Sequence, residues 1–377
     1  MGKRTFFWIF IVMVAPVLFL SGCTKEKIVE FHPLSKHDTE ILKQTIPYSF
    51  LGKDYVVPIS PEVGSFYSVS GWLNDRKIIY ITETSRSANI YVYDLQTGKS
   101  KLFHESSNPI VSIEISPSKK YILVHSSPST YEGLITVFNI EGKEVASKEI
   151  QSNELAFQWN SFKENLILIS AFTEEWEYSL YEFNLLEQTL HDIKLPNPFA
   201  YWLNNKEVVY LGWDESNPSF FASLMKHDLV NQTSREILPS VYQLASVGRH
   251  LLTITVDENN LKEAQYTIYS DTFKQLKTFV IPHLTRFSDW LVPFYDFNES
   301  LGRFLTFKPL YSSEVDTYAE GFDLVSYHLD SEEHEVLFSG LVNEPISCSP
   351  SGVLCLYGYY FEKLIDLKSK EIISIVE

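Results

Sequence analysis

Three carboxylates, Glu114, Asp289 and Asp296, stand on short apolar segments that read as strands. Two such groups held about 5–10 Å apart supply the acid and the base for cleaving a glycosidic bond. They are the candidates for a hydrolase acting on a cell-envelope polymer, although sequence spacing alone does not bring them together. Other catalytic constellations are missing from the chain. It holds no Gly-x-Ser-x-Gly elbow, no P-loop and no dinucleotide-type glycine fingerprint. Its histidines are scattered: His32 and His37 lie near the N-terminus, His283 follows a proline, and His328 and His334 flank a turn. No metal site, cofactor or catalytic residue is assigned from these patterns.

The N-terminus carries a more specific signal. Lys3 and Arg4 precede an unbroken apolar run from Phe6 to Leu20, and Ser21, Gly22 and Cys23 follow. A basic start, a short apolar run and small residues at its end form the pattern of a signal peptide. The run falls short of the roughly 20 apolar residues that a membrane span needs. Leu20-Ser21-Gly22-Cys23 resembles a bacterial lipobox, which implies a lipid on the Cys23 thiol and cleavage ahead of it. The expected division is a signal peptide over 1–22, a lipidated polar tether over 23–49, and one folded domain over 50–377. Loss of Lys3 and Arg4 leaves 29 basic against 48 acidic residues. Such a surface repels nucleic acid and anionic headgroups, so the expected membrane contact is the lipid alone.

The folded part is read as strands. Aromatic residues make up 15% of the chain, and its apolar segments are short, alternating and rich in Ile, Val, Tyr and Phe. From Gly64 onward one unit recurs every 36–57 residues: a leading strand, a strongly apolar strand, a strand ending in a polar turn, and a closing strand. The turn is preceded by similar residues each time, as in Tyr93-Asp94-Leu95, Phe138-Asn139-Ile140, Phe183-Asn184-Leu185, His227-Asp228-Leu229 and Ile365-Asp366-Leu367. Asp and Asn suit that place because their side chains accept hydrogen bonds from the turn backbone. Repeated four-stranded units predict a single all-β propeller, with seven units counted and six as the alternative. The last unit reads as complete, so the ring is expected to close without a strand borrowed from the N-terminus.

In a propeller, all loops joining second to third strands leave the same end. Residues 83–88, 126–133, 172–177, 213–221, 257–263 and 309–320 are read as those loops. They hold 13 acids and two bases, Arg86 and Lys262, about twice the acid density of the chain at large. The candidate binding face comprises Glu174, Glu175, Trp176, Glu177, Trp213, Asp214, Glu215, Asp257, Glu258, Glu314, Asp316, Tyr318 and Glu320. Acids beside exposed aromatics suit a basic protein or a cationic cell-wall component.

Two cysteines remain after Cys23. A tight turn on Pro350-Ser351 would set Cys348 opposite Val353 rather than Cys355, so both are expected as free thiols.

The lipobox, the polar tether and the unit containing Tyr91-Val92-Tyr93-Asp94-Leu95-Gln96-Thr97-Gly98 together resemble the YqgU-like lipoproteins of Gram-positive bacteria. That resemblance implies a six-bladed propeller, and it brings no activity or site residue with it. The leading functional reading is a binding or scaffold module anchored outside the cytoplasmic membrane. The envelope-polymer hydrolase is its rival.

Overall fold

The computed structural model describes residues 55–376, apart from 86, 215, 218, 258, 259 and 288. The signal peptide, Cys23 and the tether therefore lie outside the described residues, as do Arg86, Glu215 and Glu258 of the proposed face.

Among the described residues seven four-stranded antiparallel sheets follow one another, each with its strands paired in sequence order. Blades 1 to 7 span 65–106, 110–151, 154–193, 200–241, 243–282, 295–341 and 346–374. The leading strands of blades 1 and 2, 3 and 4, 4 and 5, and 6 and 7 touch, and that of blade 7 also touches that of blade 1. The core is divided between the blades. In the second strand of blade 1, Ile78 and Tyr80 pack against Leu356 and Leu364 of blade 7. Their neighbours Ile79 and Ile81 point the other way, into Ile113 and Ile122 of blade 2. Alternation of this kind buries both faces of a strand, which is why the second strands are apolar throughout. Seven such clusters occupy the seven junctions between blades.

The polar turns perform the role expected of them. The Oδ1 of Asp94 accepts the N–H groups of Gln96 and Thr97 at 2.9 and 3.1 Å. Asn184, Asp228 and Asp366 bind the equivalent pair of N–H groups. The leucine after the acid donates its N–H back to the turn between the first and second strands, as Leu95 does to Arg76 and Leu229 to Lys206. This reciprocal tie explains why an apolar residue follows Asp or Asn in the repeat.

The ring closes between two whole blades, as the complete seventh unit implied. Trp72 of blade 1 is buried and donates its indole N–H to the Ser347 carbonyl of blade 7 at 2.8 Å. Residues 55–59 run along the same seam. Val56 donates to Leu95 of blade 1, Ile59 donates to Ile375 beyond blade 7, and Tyr55 and Ile59 join the shared apolar cluster.

The cysteine expectation is corrected. Cys348 and Cys355 are direct partners on the first two strands of blade 7 and form a disulfide. The turn is wider than a tight Pro350-Ser351 hairpin: Ser349 donates to Leu354, and Gly352, at a φ of 67°, donates back to Ser349. Leaving 350–353 as the loop shifts the register so that the two cysteines face each other. Alkylation of unreduced, denatured protein should therefore add nothing at these two positions, and two groups after reduction, as read by intact mass.

Candidate functional site

Each blade runs through its strands in the same order, so the ring has two distinct ends. One end carries the loops between second and third strands together with the connections between blades. The other carries the loops between first and second and between third and fourth strands.

The first end gathers the exposed aromatic side chains. Twelve are strongly exposed among the described residues: Tyr67, Tyr131, Trp176, Tyr178, Phe199, Trp213, Phe220, Phe287, Phe294, Tyr311, Tyr359 and Tyr360. By position in the strand order, all twelve stand at this end. The exposed large side chains of the other end are aliphatic, such as Leu186, Val230 and Val353. The aromatics also touch one another, both within blade 3 and across blade boundaries. Phe172 lies 6.1 Å from Trp176 and 5.6 Å from Phe199, while Phe294 meets Tyr359 and Tyr67 meets Tyr360, each at 6.1 Å. Between blades 5 and 6 a small sheet of Leu284–Thr285, Trp290–Leu291 and Ser313–Glu314 sits at this end, and both Phe220 and Phe221 pack 5.3 Å from its Trp290.

Trp176 is held out by its backbone. It is 70% exposed and has a φ of 63° in a turn closed by hydrogen bonds between Thr173 and both Trp176 and Glu177. That left-handed conformation suits glycine or asparagine, and a bulky residue there is strained. The acids of the face surround these rings. Glu174, Glu175, Glu177, Asp257, Glu314, Asp316 and Glu320 are exposed, and Asp214, also exposed, accepts both the N–H and the hydroxyl of Ser216. Those two bonds hold its carboxyl below the usual range. Tyr318 is half-buried, and its hydroxyl ties the loop together by accepting from Leu310 and donating to Gly321.

Several face residues were missed by reading only one set of loops. Phe199, Phe287 and Phe294 lie in connections between blades, and Tyr359 and Tyr360 lie in the blade 7 loop that was left out. The signal that finds them is topological, because connections between blades leave the ring at the same end as the loops already counted. Several loop assignments also change: Glu83, Glu132, Asp257 and Asn260 to Glu263 belong to blade strands rather than loops, and Glu314 to the small sheet.

The three hydrolase candidates part company. Asp289 is not on a leading strand. It lies in the connection between blades 5 and 6 and pairs with Arg286 at 3.6 Å. Glu114 and Asp296 do stand on leading strands, of blades 2 and 6, and line one cavity of about 630 Å³ in the channel. That cavity opens among the loops of the second end, with Pro117, Ser161, Gly248, Ser300 and Pro350 at its rim. The protein walls around it push the Glu114 carboxyl up to about 7, although its side chain is exposed to the cavity. Burial also raises Asp296, against the N–H groups of Cys348 and Phe297 and the charge of Lys119. Lys119 is lowered by burial, with Asp296 and Glu164 opposing.

A family model described as the YqgU-like 6-bladed beta propeller domain matches residues 94–358. The chain belongs to this family. The match opens at the end of the third strand of blade 1 and closes after the second strand of blade 7, so the described residues of this YqgU-like chain form seven four-stranded sheets where the family description counts six blades. The uncharacterized lipoprotein YqgU of Bacillus subtilis is 25% identical over 319 residues, covering 85% of this chain and 86% of that one. With the Leu20–Cys23 lipobox, that likeness makes the chain a propeller lipoprotein. Among solved structures, the uncharacterized protein lmo1340 from Listeria monocytogenes superposes with a TM-score of 0.78 at 23% identity, over 85% of this chain and 98% of that one. The β-propeller domain of the Trilobed protease from Pyrococcus furiosus superposes with a TM-score of 0.55 at 12% identity, over 83% and 99%. These two likenesses bear on the fold alone.

Proposed function

We propose that this YqgU-like chain is a binding module, held by a Cys23 lipid on the outer side of the cytoplasmic membrane, whose aromatic and acidic end docks a basic protein domain. The carrying observation is that every strongly exposed aromatic among the described residues stands at one end. Aromatics dominate binding energy at protein interfaces, and an acidic surround steers and orients a basic partner. A lipid surface is the poorer occupant, because the acids repel anionic headgroups. The place where the chain enters the propeller points the same way. Tyr55 and Val56 bond Asp366 and Leu95, at the third-to-fourth-strand turns of the opposite end. Tyr55, the first described residue, thus stands at the end away from the aromatics.

Two experiments separate the parts of this reading. Cys23→Ala should abolish incorporation of a tagged fatty acid, and equal labelling of both proteins would remove the anchor. For the face, cross-linking and pull-down from intact envelopes should recover a basic protein with wild type at low salt, and lose it at high salt or in Trp176→Ala plus Trp213→Ala. Identical recovery from both proteins at both salts would leave the face a solvated rim. Recovery that vanishes on digesting the wall polymer would assign the face to a cationic wall component instead.

A further inference from the structure

The opposite end of the propeller carries a second feature, independent of the aromatic face. The channel cavity of about 630 Å³ is walled by residues from five blades, so only the assembled ring creates it. Glu114 reaches into this space and has no hydrogen-bond or ion partner among the described residues, whereas Asp296 on the facing wall is fixed by the Cys348 N–H at 2.8 Å. The Glu114 side chain is exposed to the channel space, so it is open to an incoming donor. Glu114, Asp296 and Glu299 face a single ammonium, Lys119, whose backbone sits at a φ of 64°. With these carboxyls ionised the sum is negative, which favours a cation.

Small, polar groups make up much of the remaining wall. Gln158 and Ser246 offer hydrogen bonds to hydroxyls, and the Trp159 ring gives an apolar surface beside them. A metal ion would require converging ligands, and no group of three or more His, Cys, Asp or Glu among the described residues is placed to hold one. We infer that the channel is a binding site for a small amine-bearing sugar, its ammonium received by Glu114 and its hydroxyls by Lys119, Gln158 and Ser246. The volume is ample for such a ligand and falls within the range of about 300–1,000 Å³ usual for small-molecule sites.

The test uses the mature lipidated protein in detergent, labelled at tryptophan with nitrogen-15 and titrated with D-glucosamine, N-acetyl-D-glucosamine or D-glucose. Glucosamine should shift the Trp159 indole resonance saturably and leave Trp176 and Trp213 unmoved. Losing the charge-assisted bond should weaken binding roughly tenfold or more, both for the acetylated sugar and in Glu114→Gln. Glu114→Gln is expected to fold. A carboxyl with a raised folded pKa is most stabilising at low pH and loses that contribution as pH rises from its ordinary range to about 7, and the neutral amide avoids the loss. If the variant nonetheless fails to fold, the comparison of glucosamine with its acetylated form in wild type decides alone. No shift at Trp159, equal shifts with the neutral sugars, or unchanged affinity in Glu114→Gln would overturn the inference. Since Trp176 and Trp213 report separately, failure here leaves the docking face untouched.

Discussion

Trp72→Ala should destabilise the propeller by about 4 kcal/mol, the middle of the range for emptying a buried tryptophan site. Trp72 is 2% exposed and packs among Tyr80, Leu356 and Leu364 at the junction of blades 1 and 7. Its indole also satisfies the Ser347 carbonyl, which the substitution leaves without that donor. This junction differs from the others because no chain connection links its two blades, so side chains, residues 55–59 and the Val69–Tyr360 backbone hydrogen bond hold the ring shut. Trp72→Phe separates the two contributions: it keeps most of the packing and should cost about 1–2 kcal/mol for the lost bond and smaller ring. Urea unfolding measures both, as a lower midpoint at unchanged slope. A loss below about 1 kcal/mol for Trp72→Ala would show that the strap carries the closure instead.

Trp176→Gly should separate stability from binding. Glycine adopts a φ of 63° without the Cβ clash, which relieves about 1 kcal/mol. The edge-on contact with Phe172 at 6.1 Å is lost, and the unfolded chain gains freedom, so the net gain lies between zero and about 1 kcal/mol. Partner affinity should fall by about 2 kcal/mol or more, roughly 30-fold, as for a central aromatic at an interface. A residue kept in a strained position only for packing would behave in the opposite way, with stability lost and partner retained.

Much of the fold was legible in the sequence. In most blades the second and third strands are apolar and closed by an Asp or Asn turn, so the unit repeats visibly. The leading strands were harder, because some are as short as Ala200–Trp202 and carry too few residues for a period. That is how Asp289 was placed on a strand that turns out to be a connection between blades. The cysteine pair failed for a different reason: a shift of two residues in one turn decides whether Cys348 meets Val353 or Cys355, and Gly352 makes the wider turn accessible. The acidic loops were readable from topology, and the aromatic connections beside them were equally readable but uncounted. The channel cavity was not readable, since its walls come from five blades separated along the whole chain.

The central claim is that the aromatic end is a contact surface in the cell envelope. Hydroxyl-radical footprinting tests it directly by comparing side-chain oxidation in intact envelopes with that of the purified protein. Trp176, Trp213 and Tyr359 should be strongly protected in envelopes, while Leu186 at the opposite end, 72% exposed, should be oxidised equally in both. Equal oxidation of all four residues in the two preparations would contradict the account.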